Sequence, residues 1–482
     1  MTLRGSLCAV ALALSACAAG PDYRPPKLDL PVSWQLDAPW REATPDDAAL
    51  KGPWWQRFGD AQLDALAQQA LSGSPTLAAA AARLAQARAV VASSSSSQLP
   101  QLTLNTRDAR QRISANRPLT NYNSTNFTTI QNDFTLSLAA SYEVDLAGRV
   151  QRSVEGARAS AEQSAADVEN TRLLLTAELA VDYFSLRALD TELDVLTRSI
   201  ALQRRSLELV TARRDLGAAS GLDVAQQQAL LDTTLTQVDV LRRQRAQFEH
   251  AIATLTGTPA PLFSLAPEVR RYEPPAIPLG VPSEVLQRRP DVAAAERAMA
   301  AANAQIGVAS AAFYPSVLLG PSVGYESRDL SSLFNAPSLL WSIGVSATQS
   351  IFDGGRVRAN VDFAKAGYDL TVANYRRTVL TAMQEVEDGI TGLAALDRAS
   401  TQAQTAVASA RRVLEMATSR YEGGGSTYFD VITAQQSLLA SERQAAQLLG
   451  QRQLGSVFLV KALGGDWQRG VKGASGASAA GS

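Results

Sequence analysis

Histidine and cysteine are nearly missing from this 482-residue chain: there is one histidine, His250, and two cysteines, Cys8 and Cys17, both near the start. The body therefore has no thiol for a disulfide, a zinc cluster or a nucleophile, and no His, Cys or carboxylate motif converges as a catalytic centre would. An exported enzyme is disfavoured, no metal or cofactor is expected, and the lone His250 near a helix end reads as a surface or packing residue. An excess of one charge is missing too. The 45 basic and 46 acidic residues leave a net charge of -1, with no long basic run, so nucleic acid is not the partner. No window beyond the first residues has 18 consecutive apolar side chains, so no transmembrane helix is available. If the chain spans a bilayer, it must do so as a closed barrel.

The first residues themselves are informative. Met-Thr-Leu-Arg precedes an apolar stretch over 7–14, the arrangement of a signal peptide, here residues 1–16. Leu14-Ser15-Ala16-Cys17 resembles the lipobox of bacterial lipoproteins, in which Cys17 receives a diacylglycerol thioether and becomes the mature N-terminus. Ala18 follows rather than aspartate, which favours the outer membrane. Residues 17–60 are rich in proline and tryptophan and read as a lipidated, extended arm lying over the body.

The chain then says nearly the same thing twice. Residues 74–104 align without a gap on 289–319 at an offset of 215, matching Pro75 to Pro290 and Pro100 to Pro315. Further on the offset is 207, pairing Gly148 with Gly355, Arg213 with Arg420 and Asp223 with Asp430. One supersecondary module used twice is the expected architecture. Repeat 1 covers 61–258 and repeat 2 covers 284–465, joined by a linker over 259–283 with seven prolines and followed by a Gly/Ala/Ser tail over 466–482 that reads as disordered.

Within each repeat the hydrophobic period changes sharply. Apolar residues at helical spacing, such as Leu63, Leu66 and Leu77, give way to strict alternation over 133–143, 316–325 and 341–351. The spacing predicts a β-hairpin at 99–145 and another at 314–353, with strands of about 10 residues, the length and alternation of an outer-membrane barrel strand. A Gly-Arg turn follows each hairpin, then coiled-coil patterning over 149–256 and 356–463. Residues 149–215 contain no proline and a single glycine, and such a helix would be roughly 100 Å long, too long for a compact domain. Small-residue breaks at 217–221 and 423–427 end the two long helices.

The lipobox, arm and doubled helix-hairpin-helix plan resembles the TolC-type outer-membrane efflux proteins, the outer membrane factor family, in the lipoprotein branch of resistance-nodulation-division systems. The most specific matches are residues 17–26 (CAAGPDYRPP), Arg288-Arg289-Pro290-Asp291-Val292, Phe313-Tyr314-Pro315, Phe352-Asp353-Gly354-Gly355-Arg356 and the run from Arg420-Tyr421 through Asp430 to Ala434-Gln435. The resemblance implies a mainly α fold with a small transmembrane β part, a homotrimer closing a twelve-stranded outer-membrane β-barrel continued by a long periplasmic α-helical barrel. It also implies a passive exit duct, lipid-anchored in the outer membrane and extending into the periplasm, working with a membrane-fusion adaptor and an inner-membrane pump. By the same match the breaks are the adaptor-docking tip (Gly217, Ala218, Ser220; Gly424, Gly425, Ser426, Thr427). Asp223 and Tyr421 fall where a hydrogen bond ties neighbouring coiled coils shut, and Asp430 where a three-fold aspartate ring narrows the pore. Asp223 and Asp430 are equally suited to helix N-termini. The chain departs from the family pattern at Ser426 and Thr433, where further charged gate residues are expected. A pore-free periplasmic scaffold lipoprotein and a type I secretion duct are the alternatives.

Overall fold

The computed structural model describes residues 18–25, 53–114, 129–270, 273, 275, 277 and 289–465. The expected signal peptide, Cys17, most of the expected arm, part of the expected linker, Arg288 and residues 466–482 lie outside the described residues. The first copy runs α1 (Ala61–Gly73), α2 (Pro75–Ser96), β1 (Gln101–Ile113), β2 (Thr129–Val144), α3 (Arg149–Asp215) and α4 (Gly221–Leu255). The second runs α5 (Pro290–Ala311), β3 (Ser316–Leu319), β4 (Ser322–Ser327), β5 (Leu339–Ser342), β6 (Val345–Thr348), α6 (Arg356–Glu422) and α7 (Tyr428–Ala462). Duplication persists in the lengths: α2 and α5 have 22 residues each, α3 and α6 have 67, α4 and α7 have 35.

The chain forms two compact units, one from Met1–Pro26, Arg83–Ser164 and Ala295–Tyr375, the other from Lys27–Ala82, Ala165–Ala294 and Arg376–Ser482. The first holds the sheet. β2 pairs antiparallel with β1 from Gln101↔Ser141 to Ile113↔Thr129. Its other edge takes β4, from Phe134↔Ser327 to Ala139↔Ser322, and then β3, from Tyr142↔Leu319 to Val144↔Val317. β5 lies outside β4, and β6 outside β3. Alternation predicts unbroken strands over 316–325 and 341–351, but each is split, at Gly320-Pro321 and at Ile343-Gly344. Pro321 has no N–H to give a ladder. Its carbonyl instead accepts the Ala140 N–H at 2.9 Å, and the Gly320 N–H donates to the Gly344 carbonyl at 2.9 Å, so the two breaks lie side by side and pairing resumes beyond them. Six strands thus stand in four rows.

The second unit is held by an aromatic core. Trp54, Trp55 and Phe58 form a short 3-10 turn that is buried against Leu63, Leu66, Tyr183 and Phe184. The end of the expected arm is therefore core rather than cover, because three aromatics in five residues bury more area than a surface strap can. Asp60 fixes the entry to α1: its Oδ1 accepts the N–H groups of Gln62 and Leu63, and its Oδ2 accepts the buried Tyr183 hydroxyl at 2.7 Å. Below this, Asp190 is fully buried between two arginines, accepting from Arg187 at 2.7 Å and from Arg245 at 2.6 Å. Each arginine also donates to a backbone carbonyl, of Ala266 and Leu265 respectively. Desolvation of these charges is offset by these bonds, although Arg187 Nε is buried without a partner among the described residues. Arg289 of the Arg-Pro-Asp-Val match acts similarly, forking onto Asp291, pairing with Glu385 at 2.6 Å and donating to the Ala462 carbonyl at the end of α7.

Candidate functional site: the sheet and the helical tip

Residues directly opposite one another in antiparallel strands share a face. The register therefore puts Leu102, Leu104, Leu136, Leu138, Tyr142, Leu319, Val323, Leu339, Trp341 and Val345 on one side of the sheet. Thr103, Asn105, Arg107, Thr135, Ser137, Glu326 and Ser342 are on the other. Leu102, Leu104, Trp341 and Val345 are each 65–69% exposed, a contiguous apolar surface that a soluble monomer rarely shows. β1 on one side and β5 with β6 on the other have no further strand among the described residues, so the sheet ends in two open edges. Open edges are not tolerated in hydrocarbon, where unpaired backbone groups find no water.

The tip lies in the second unit, where α3 passes to α4 and α6 to α7. Both turns use one motif. At the first, Ala218 N–H donates to Arg213 O and Gly217 N–H to Arg214 O, both at 2.8 Å. At the second, Gly425 N–H donates to Arg420 O at 2.8 Å and Gly424 N–H to Tyr421 O at 3.1 Å. This is a Schellman ending, and it needs a left-handed residue. Gly217 and Gly424 supply it, each with φ of +76°.

The aspartates sit at equivalent places in the next turn. Asp223 forms a capping box with Ser220: its Oδ2 accepts the Ser220 N–H at 2.9 Å, and Ser220 Oγ accepts the Asp223 N–H at 3.2 Å. Asp430 holds the matching position in α7, where its N–H donates to Thr427 O at 3.2 Å and its carboxylate accepts the Thr427 hydroxyl at 3.5 Å. Asp430 is exposed and Asp223 half-buried. Tyr421 is buried, but its hydroxyl has no hydrogen-bond partner among the described residues, so no bond to Asp223 forms within the chain. Ser426 Oγ is likewise buried without a partner, while Thr433 is exposed and its hydroxyl donates back to Phe429 O. His250 is exposed on α4.

Periodicity alone does not reveal the polar cluster beneath this tip. Tyr428 packs on Tyr421 with ring centroids 5.0 Å apart, and its hydroxyl donates to Gln227 Oε1 at 2.9 Å. Gln227 donates in turn to Gln203 O at 3.1 Å, and Gln435 Nε2 to Ser206 Oγ at 2.8 Å. Burial pushes the Tyr428 hydroxyl above its ordinary pKa, with Tyr421 and Asp223 adding to the effect, so it stays a donor. Arg213 stacks 4.8 Å over the Tyr421 ring and reaches the Tyr421 and Glu422 carbonyls at the end of α6. The pairing of Arg213 with Arg420 across the repeat was the available signal, but not the direction in which Arg213 points.

The comparisons agree with this geometry. The family model described as "Outer membrane efflux protein" matches residues 66–258 and 281–465. The pyoverdine export outer membrane protein OpmQ of Pseudomonas aeruginosa is 32% identical over 466 residues, 96% of this chain and 97% of its own. The toluene efflux pump outer membrane protein TtgF of Pseudomonas putida is 32% identical over 468 residues, 95% of this chain and 96% of its own. Among solved structures, the outer-membrane channel OprN superposes with a TM-score of 0.86 at 30% identity, covering 94% of this chain and 100% of that one. The chain thus belongs to the outer membrane efflux protein family, as an outer-membrane channel subunit of a tripartite efflux system.

Proposed function

We propose that three copies close their four-row sheets into one twelve-stranded barrel and form a passive exit duct for drugs or other small toxic solutes. The observation that carries this reading is the sheet: one face apolar and open across Leu102, Leu104, Leu138, Val323 and Trp341, the other polar, and both edges unpaired among the described residues. Four rows are too few to enclose a pore, and copies of the same chain offer matching edges. The subunit catalyses nothing and holds no cofactor. Energy comes from an inner-membrane pump of the resistance-nodulation-division type, reached through a periplasmic adaptor that docks at Gly217, Ala218, Ser220 and Gly424, Gly425, Ser426, Thr427. Small side chains there let an adaptor hairpin approach closely. Cys17 carries the lipid that anchors the protomer in the outer membrane. Substrate class follows the relatives' names only loosely, since these range from pyoverdine to toluene.

In the assembled tube, Asp430 from three protomers forms a ring of like charge that favours cations and narrows the pore. Tyr421 and Asp223 act with it as the gate, and opening requires the tip helices to move apart. The test is single-channel conductance of the purified protein in a planar bilayer, native against Asp430→Ala. A small conductance that rises or loses cation preference in the variant supports duct and gate together. A membrane-inserted oligomer without conductance overturns the duct.

A further inference from the structure

The paired arginines of the two tip turns, Arg213 and Arg420, do different things. Arg420, near the end of α6, bends back into its own turn, where its Nη2 donates to Gly425 O at 3.3 Å. Arg213, its counterpart near the end of α3, crosses to the other repeat instead. Its guanidinium carbon lies 4.8 Å from the centre of the Tyr421 ring, Nη1 donates to Tyr421 O at 3.4 Å, and Nη2 donates to Glu422 O at 3.5 Å. One planar cation is thus held twice, by the face of an aromatic ring and by the carbonyls that end a helix. The Tyr421 hydroxyl contributes nothing to this hold, being buried with no partner among the described residues.

Below this contact the same helices meet in a buried seam. The Tyr421 ring packs in a cluster with Val210 of α3, Leu230 of α4 and Tyr428, Val431 and Ile432 of α7. The Tyr428 hydroxyl reaches Gln227, and Gln435 reaches Ser206, about two helical turns further from the tip than Arg213. The two layers differ in access to water. Arg213 is half-buried and Glu422 exposed, whereas Gln227, Tyr428 and Gln435 are buried. Solvent competes for the first contact and not for the others, so the first opens at lower cost.

We infer that Arg213 is a positioning residue of the gate, a latch that holds the end of α6 against the end of α3 within each protomer. Opening begins with its release, and the buried Tyr428–Gln227 and Gln435–Ser206 bonds stay as the pivot. Arg213 acts through the ring and backbone of Tyr421 and touches no solute itself. The inference rests on the duct-and-gate reading above.

The test uses full-length trimers in a planar bilayer: native, Asp430→Ala, Arg213→Gln, Arg213→Lys, and Arg213→Gln combined with Tyr421→Leu. The turn after α3 uses the main-chain carbonyls of Arg213 and Arg214, so none of these changes removes its hydrogen bonds. SDS-resistant trimers report assembly. The expected result is a severalfold higher conductance in Arg213→Gln with cation preference kept, since Asp430 is untouched. Arg213→Lys, which keeps the charge but loses the planar fork, raises it less. In a Tyr421→Leu background Arg213→Gln adds nothing further. Native conductance in Arg213→Gln, beside an Asp430→Ala channel that conducts more, overturns the latch and leaves duct and gate standing. A full additional rise in the Tyr421→Leu background also overturns it, because Arg213 then does not act through that ring. Trimers lost in Arg213→Gln and Arg213→Lys alike overturn it as well, the side chain then serving assembly rather than closure. No conductance from native or Asp430→Ala trimers overturns the duct, and the latch with it.

Discussion

Single residues decide how the tip is held. Sequence left Asp223 and Asp430 suited both to capping and to a gate; the structure makes Ser220 the cap and Asp223 its reciprocal partner, a pairing that leaves one oxygen of the carboxylate for other uses. Tyr428 is the more consequential side chain. Tyr428→Phe leaves Gln227 Oε1 buried without its donor, and the expected loss of stability is about 1–3 kcal/mol, read by thermal unfolding of the purified protein. An unchanged Tm would mean that water replaces the hydroxyl. Asp182 offers a pH-dependent case. Burial, and next Glu178, raises its carboxyl from the ordinary 3.8 to about 6. Because the folded-state value is the higher one, this contribution to stability is fully present below 3.8 and is lost as pH rises through about 6. Asp182→Asn is therefore expected to raise Tm well above pH 6 and leave it unaltered below 3.8, and equal shifts at both pH values would refute the assignment.

At the scale of elements, the helices and the place of the second hairpin were legible, and the breaks in its strands were not. Long runs without proline, apolar at three- and four-residue steps, and glycines just past their ends specify α3 and α6 to their last residues. The same alternation rule gave unbroken strands over 316–325 and 341–351, because it counts side chains and is blind to the missing N–H of Pro321. Backbone proximity is equally invisible to it. A Cβ on Gly324 would lie 2.4 Å from the Leu136 carbonyl oxygen, so β4 and β2 pair closely only because that residue is glycine. Gly324→Val is expected to unpair the two strands and reduce the β content of the purified protein, measured by circular dichroism. A native spectrum would show that the sheet shifts to accommodate the side chain.

The whole molecule is a subunit, and its sheet shows why. Leu138 sits in the middle of the apolar face, opposite Leu104 on one side and Val323 on the other. In a lipid-facing barrel, Leu138→Lys should destabilise the inserted state by up to about 2–4 kcal/mol, lowering the denaturant midpoint in bilayers. A polar pore lining at that face would tolerate lysine, and an unchanged midpoint would reverse the orientation of the sheet. The open edges of β1 and of β5 with β6 among the described residues make assembly a condition of insertion rather than an addition to it.

Sequence by itself determined the duplication, the helix lengths and the two kinds of periodicity, because these depend on local repeats and on residues that stop a helix. It also exposed the scarcity of cysteine, which leaves the body without a thiol for a disulfide or a zinc cluster. Tertiary structure alone decided that Trp54, Trp55 and Phe58 are core, that strand rows are broken side by side at Gly320 and Gly344, that the buried Tyr421 hydroxyl has no partner among the described residues, and that Arg152 and Asn303 hold Asp22 and Pro21. Each of these depends on groups far apart in the chain meeting at hydrogen-bond or van der Waals distance, and no local pattern of residue types encodes that meeting.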